Sequence, residues 1–233
     1  MLFRISTIYI AISFVFLISS CSSLYIPNKL QVVQIEEKGD ASLDASIGFN
    51  SIDLQSTVAL SDQFYLGLSA FGGGTLRTTE NWAQRFYQFG IQSGYQWQRD
   101  SSANHTFGID LGWGHTTSSY YNNLGQFLVF SGGTSGEYRK YALQYTYYLK
   151  TKVTDLYVSI RTTCIDAYSF RTNLSQPPQS HKKLFLEPVF GLIFGPDKLK
   201  FTYQVGYCIS AHNDQSPFGG RPFIGSIGLQ FRF

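Results

Sequence analysis

The chain has little charge, few cysteines and, beyond its first 20 residues, no long apolar run. Charged residues make up 14% of it and the formal net charge is +3, and the basic residues form no stripe with aromatics, so no nucleic-acid surface is indicated. None of its three cysteines lies in a CxxC pair or at ligand spacing from a histidine, so we expect no metal site. The lack of a second apolar run of ~20 residues excludes a transmembrane helix after the N-terminal region.

The N-terminal region has the pattern of an export signal. Arg4 is the only charge before Cys21, and residues 5–18 are almost wholly apolar but too short to span a bilayer. The segment ends in small residues, so residues 1–20 are predicted to be a signal peptide. Residues 21–39 show little strand alternation and read as a tether. Cys21 is either the new N-terminus or an incidental residue near an ordinary cleavage site.

Aromatic residues and glycine are abundant, with 20 Phe, 16 Tyr and 22 Gly, which is a β-sheet composition. From residue 40 onward, apolar and polar residues alternate. Near residue 200, for example, Phe201, Tyr203 and Val205 share one parity, while Thr202 and Gln204 share the other. Alternate residues of a strand point to opposite faces, so each strand has one aromatic or aliphatic face and one polar face.

This alternation predicts ten strands, with eight as the alternative, in a closed antiparallel up-and-down transmembrane barrel over residues 40–233. Compact turns and longer polar loops alternate along the chain, and residues 116–136 are predicted to be the longest loop. In membrane barrels the short turns face the periplasm and the long loops face outward. The predicted strands are residues 40–49, 52–60, 64–73, 85–98, 105–115, 137–149, 154–168, 184–194, 199–210 and 222–233.

Apolar residues are predicted to face lipid and polar residues to face a narrow or plugged lumen, because a barrel of about this size is nearly filled by its own side chains. Charges in so confined an interior need partners. We expect a structural network of salt bridges there, the alternative being a path for protons or small ions. The inward parity carries Asp44, Asp53, Asp110, Arg161, Glu187, Lys200 and Arg232.

Two short segments carry a resemblance to known proteins. Ile18-Ser19-Ser20-Cys21 resembles the bacterial lipobox, and the final strand, with Leu229, Phe231 and a terminal Phe233, resembles the C-terminal assembly signal of outer-membrane barrels. The chain therefore resembles small outer-membrane β-barrels of the superfamily that includes outer-membrane protein A, and the barrel-type lipoproteins of Gram-negative bacteria.

The resemblance implies an outer-membrane location and a barrel that contacts membrane lipid. It implies diacylglycerol and an N-acyl chain at Cys21, a lipidated tether over residues 21–39 on the periplasmic side, and no other cofactor. It also implies recognition by the barrel-assembly and lipoprotein-export machineries.

The sequence favours a non-enzymatic role in envelope structure or surface contact, with two alternatives. One is a barrel hydrolase acting on lipid or peptide at the outer rim, where His115 precedes a Thr/Ser run and His212 lies near Asp214 and Ser216. The other is a lipid-tethered, lipocalin-like soluble carrier, which would have the opposite polarity, with the apolar face inside.

Overall fold

The computed structural model describes residues 23–34, 36–77, 82–100, 102–124, 127–151, 153–171, 177–211, 219–220 and 223–233. Ten long strands form the body of the molecule, and the described residues contain no helix that could cross a membrane. The strands are β1 (Ala41–Gly48), β2 (Ser51–Ala59), β3 (Phe64–Arg77), β4 (Trp82–Asp100), β5 (Ala103–Leu124), β6 (Phe127–Leu149), β7 (Thr154–Arg171), β8 (Gln179–Phe194), β9 (Leu199–Tyr207) and β10 (Phe223–Arg232).

The strands form a closed up-and-down barrel. Each pairs antiparallel with its neighbours in sequence, and β10 pairs with β1 from Ser226↔Gly48 to Arg232↔Ser42. Every strand of the barrel therefore has two hydrogen-bonded neighbours, which is what hydrocarbon requires of a sheet that crosses it. The fold class and the strand number predicted from the alternation are confirmed.

The two ends of the barrel differ. The chain turns within a few residues at 60–63, 150–153 and 195–198, and residues 36–40 and Phe233 lie at this same end, which we call the turn end. At the opposite end, the loop end, β5 ends at Leu124 and β6 begins at Phe127, and the separations in sequence are the longest, with seven residues between β7 and β8 and 15 between β9 and β10. The β1–β2 hairpin at the loop end is tight, and Asn50 there has a φ of 66°, a conformation that Asn tolerates.

The polarity of the barrel is apolar outside and polar inside. On β5, Ile109 and Leu111 are 47% and 52% exposed on the outer surface, whereas Asp110 between them is 3% exposed and faces inward. The same alternation runs through the other strands, with Gln88 and Gln92 of β4 facing the lumen. A soluble carrier would need the reverse arrangement, so the lipocalin-like alternative is wrong.

Aromatic side chains on the outer surface form two groups on β4–β6. Near the turn end, Trp97 stacks on His105 at 5.3 Å between ring centroids, and Tyr147 lies 5.2 Å from the same imidazole. Toward the loop end, Tyr87 packs against Trp113 at 5.6 Å. The outer surface between the groups is apolar, with Ile91, Ile109, Leu111 and Leu143 at its centre. Two aromatic girdles flanking an apolar band are typical of a barrel that spans a membrane.

The structure corrects the predicted loop at residues 116–136. β5 continues to Leu124 and β6 begins at Phe127, so this region is mostly a long hairpin, paired from Thr116↔Gly136 to Ser119↔Gly133 and beyond. The sequence does not predict this hairpin, because Ser, Thr, Gly and Asn occupy both the inward and the outward positions of its strands. Beyond the apolar band water can solvate both faces of a hairpin, so no alternation is required there.

One glycine makes room for a large side chain in the wall. Gly191 of β8 is the register partner of Tyr157 on β7, and the Tyr157 ring lies over it. The ring is 2% exposed, and its hydroxyl donates a 3.1 Å hydrogen bond to Gln204 on β9. A Cβ at position 191 would overlap this ring.

We therefore expect Gly191→Ala to displace Tyr157 and to lower the free energy of unfolding by about 1–3 kcal/mol, the usual cost of overpacking. Gly72→Ala is the matched control, since a Cβ there approaches nothing closer than 3.3 Å. Urea unfolding of both variants in lipid vesicles measures the difference. Equal midpoints for the two variants would show that the ring can move aside freely.

Candidate functional site

A segment of the chain that precedes the barrel lies inside it. Residues 25–33 are all buried, and we call residues 25–34 the lumen segment. The side-chain Nε2 of Gln31 donates to the backbone carbonyl of Ser56 on β2 at 3.2 Å. The side-chain Nε2 of Gln144 on β6 donates to the backbone carbonyl of Gln31 at 2.8 Å. These two strands are four positions apart in a ten-strand cylinder. Only a segment within the lumen can bond to both.

Lys29 binds one wall of the barrel. Its ammonium lies 2.6 Å from Asp44 on β1 and donates to Thr202 on β9 at 2.7 Å. Its backbone N–H donates to the Asp53 carboxylate on β2 at 2.8 Å, and its carbonyl accepts from Gln55 at 2.8 Å. A lysine that is 6% exposed is thus paired and its backbone is satisfied, as a buried charge requires.

The opposite wall carries two further ion pairs. Arg161 of β7 donates from Nε to Glu187 of β8 at 2.5 Å, and both side chains are fully buried. Lys140 of β6 lies 2.5 Å from Asp110 of β5. Asn28 joins the two pairs, because its carbonyl accepts from Arg161 at 2.9 Å and its side-chain oxygen accepts from Lys140 at 2.7 Å.

Tyr25 begins the lumen segment near the loop end and combines polar and apolar contacts. Its hydroxyl donates to Glu187 at 2.9 Å, and its ring lies 4.9 Å from Phe185 and 6.3 Å from Tyr138. A partly open cavity beside Lys29, toward the loop end, has a volume of about 20 Å³, space for about one water molecule. The segment therefore nearly fills the part of the lumen that it occupies.

The segment leaves the lumen at the turn end through contacts with Arg232. The guanidinium donates to the Gln34 carbonyl at 3.2 Å and lies 3.4 Å from the Glu36 carboxylate, which also pairs with Lys150 at 3.2 Å. Partial burial alone would raise the pKa of Glu36. The hydrogen bond from Lys150 and the charge of Arg232 together lower it by more, so the pKa of Glu36 is below its usual value. This exposed cluster stabilises the fold near neutral pH and loses that contribution as the pH falls through the pKa of Glu36.

The structure places all the charges predicted to be inward on the lumen side, although Arg232 lies at the turn-end opening. It brings Arg161 together with Glu187, while Lys200 pairs with Asp155 at 3.1 Å. Sequence reasoning missed Lys29, Asn28, Lys140 and Asp155. The inward parity of Lys140 and Asp155 was a usable signal, but nothing in the sequence places Lys29 beside Asp44.

Residues 25–34, part of the segment 21–39 that is predicted to be a tether, lie in the lumen, and the periplasmic location and lipidation of that segment stay predictions. The prediction rested on the absence of strand alternation, yet a segment enclosed by wall on every side has no solvent face and needs no alternation. Pro27, which has no N–H to satisfy, also fits a segment outside the sheet. Cys21 and the predicted signal peptide lie outside the described residues. Leu229 and Phe231 face outward on β10, and Phe233 follows them at the turn end.

The residues considered for hydrolysis are not gathered into a site by the described part of the chain. His115 faces outward, and its ring stacks on Tyr87 at 5.4 Å between centroids. His212, Asp214 and Ser216 lie outside the described residues. Among the described residues, no group of three or more His, Cys, Asp or Glu side chains could hold a metal ion. Cys164 and Cys208 are both unbonded thiols.

No protein-family model and no curated protein sequence matches the chain. Its fold is similar to the outer membrane protease OmpT from Escherichia coli, with a TM-score of 0.56 and 6% identity over 87% of this chain and 99% of that one. It is also similar to the translocator domain of the autotransporter NalP from Neisseria meningitidis, with a TM-score of 0.51 and 10% identity over 84% of this chain and 87% of that one. The chain therefore has the fold of the outer-membrane β-barrel proteins.

Proposed function

We propose that the protein is a non-enzymatic integral barrel of the bacterial outer membrane, serving envelope structure or surface contact, with a lumen closed by its own N-terminal segment. The observation that carries the proposal is the complete burial of residues 25–33 within a barrel whose outer surface is apolar. The outer surface fits lipid, and the paired charges around Lys29 fit a structural role, because they are bound to one another and to the segment.

Three features support a structural role over an open pore or a catalytic site. The lumen segment bonds to strands around most of the circumference, from β1 and β2 to β6, β7 and β8. The cavity beside it holds about one water molecule. His115 faces outward, away from the lumen, and its ring stacks on Tyr87.

Membrane insertion is tested by gel mobility and carbonate extraction of outer-membrane fractions. A folded barrel migrates differently before and after boiling and stays with the membrane at alkaline pH. A protein that shows one mobility and is extracted by carbonate would refute insertion. Purified barrel is then incubated with lipid A, phospholipid and peptides, and turnover that is abolished by His115→Ala or His212→Ala would refute the non-enzymatic role.

The apolar band gives a quantitative test of the same proposal. On β5, Ile109 lies midway between the two aromatic groups, which this strand joins through His105 and Trp113. We expect Ile109→Arg to lower the free energy of unfolding in lipid vesicles by about 2–4 kcal/mol, because a charge near the midplane must leave water. Thr117→Arg, beyond the girdle on the same strand, is the control and should cost about 0–1 kcal/mol. Equal costs at the two positions would contradict a lipid-facing band.

Lipidation of Cys21 and recognition of the final strand belong to the same proposal. The lipobox resemblance supports diacylglycerol and an N-acyl chain on Cys21, and the outward side chains of Leu229 and Phe231 support recognition by the barrel-assembly machinery. Cys21→Ala should abolish labelling by radioactive palmitate, with Cys164→Ala as the control that keeps it. Label that survives Cys21→Ala would refute the assignment.

A further inference from the structure

We propose that the chain enters its own barrel from the outer face, so that Ser23 is displayed at the cell surface. The inference concerns the direction of the lumen segment and rests on the proposed outer-membrane location. It places Ser23 on the side of the membrane opposite to the predicted periplasmic tether.

The first anchor is at the loop end. Ser23–Tyr25 form a short strand that pairs in parallel with Gly219–Gly220, within the connection between β9 and β10. Tyr25 then contacts Phe185 of β8, which pairs with Ser210 immediately after β9. Both partners lie at the end of the barrel that carries the longer connections.

The second anchor is at the turn end. Gln34 and Glu36 contact Arg232, the last residue of β10, and the N–H of Lys38 donates to Asp62 in the turn between β2 and β3 at 3.0 Å. Ten extended residues span roughly 30 Å, about the thickness of the hydrocarbon core. Residues 25–34 therefore suffice to cross the barrel once, and the chain turns at residues 36–40 to begin β1.

The lengths of the connections show which side of the membrane each end of the barrel faces. Short turns face the periplasm and long loops face outward in outer-membrane barrels, and both ends of the barrel sheet, at Ala41 and Arg232, lie at the turn end. Ser23 consequently lies at the outer face. A periplasmic anchor would require the segment to be withdrawn from the lumen.

The experiment places a protease-cleavable epitope between Ser22 and Ser23 in the full chain. Matched variants carry the same insert between Pro196 and Asp197, at the turn end, and between Pro177 and Pro178, at the loop end. In intact cells we expect the N-terminal insert to be cleaved and labelled as fully as the loop-end insert, while the turn-end insert is protected until the outer membrane is permeabilised. Heat-modifiable mobility verifies that each variant forms the barrel.

Protection of the N-terminal insert in intact cells, in a variant that is heat-modifiable, would overturn the inference and leave the proposed barrel standing. Loss of heat-modifiable mobility in the parent protein would instead refute the proposed function. Should the insert prevent assembly, Ser23→Cys with a membrane-impermeant maleimide replaces it, with Asp197→Cys as control. Labelling of Ser23→Cys in intact cells supports the inference, and labelling only after permeabilisation overturns it.

Discussion

Deletion of residues 25–34 should turn a barrel that carries no resolvable ion current into one that conducts. In the intact protein the lumen segment occupies the space between opposite walls, from Gln144 on β6 to Ser56 on β2, and the adjoining cavity holds about one water molecule. Without the segment, a lumen lined by Asp44, Asp53 and other polar side chains would fill with water. Ions would then have a continuous aqueous path.

Single-channel recording in planar bilayers measures this change. The deletion variant should give discrete current steps, and the parent protein should give none. A synthetic peptide of residues 23–36 should reduce the steps, whereas a scrambled peptide of the same composition should not. Heat-modifiable mobility verifies that the deletion variant is folded. Steps of equal size in the parent protein, or a folded deletion variant that passes no current, would contradict a lumen closed by this segment.

Glu187→Gln should be among the most destabilising single substitutions in the chain. Glu187 and its partner Arg161 are both 0% exposed, with Nε 2.5 Å from the carboxylate oxygen. The substitution keeps the shape of the side chain but leaves the guanidinium buried without its counterion. Breaking a buried pair in this way costs about 3–5 kcal/mol. Urea unfolding in lipid vesicles measures the loss.

Two further variants separate charge from shape. Glu36→Gln removes a carboxylate that also pairs with an arginine, but at the exposed turn end, so we expect a cost of about 0–1 kcal/mol. The double variant Arg161→Met/Glu187→Leu removes both buried charges, and it should recover most of the stability that Glu187→Gln loses. A small cost for Glu187→Gln, similar to that of Glu36→Gln, would show that water reaches this pair.

The sequence carried most of the information about the barrel because the membrane imposes a strict rule on it. Lipid on one side and a polar lumen on the other force residues such as Ile109 and Asp110 into alternation, so strands, faces and closure could be predicted. Strand residues that lie beyond the lipid need not alternate in this way. The Ser- and Gly-rich stretch that forms the outer half of the β5–β6 hairpin was therefore read as a loop.

The interior was less predictable because its partners come from segments distant in sequence. Arg161 and Glu187 are register partners on adjacent strands, so correct pairing of β7 and β8 would have found them. Lys29 has no such register, since it is not part of the barrel sheet. Its place beside Asp44 depends on the path of the lumen segment, which follows from packing in three dimensions and leaves no periodic trace in the sequence.

The central claim, that the N-terminal segment occupies the lumen, is tested most directly by site-specific photo-crosslinking from position 31. A diazirine-bearing amino acid replaces Gln31, purified outer membranes are irradiated, and crosslinked peptides are mapped by mass spectrometry. We expect intramolecular crosslinks to peptides of both β2, near Ser56, and β6, near Gln144. Crosslinks confined to turn-end residues or to other proteins would contradict the claim.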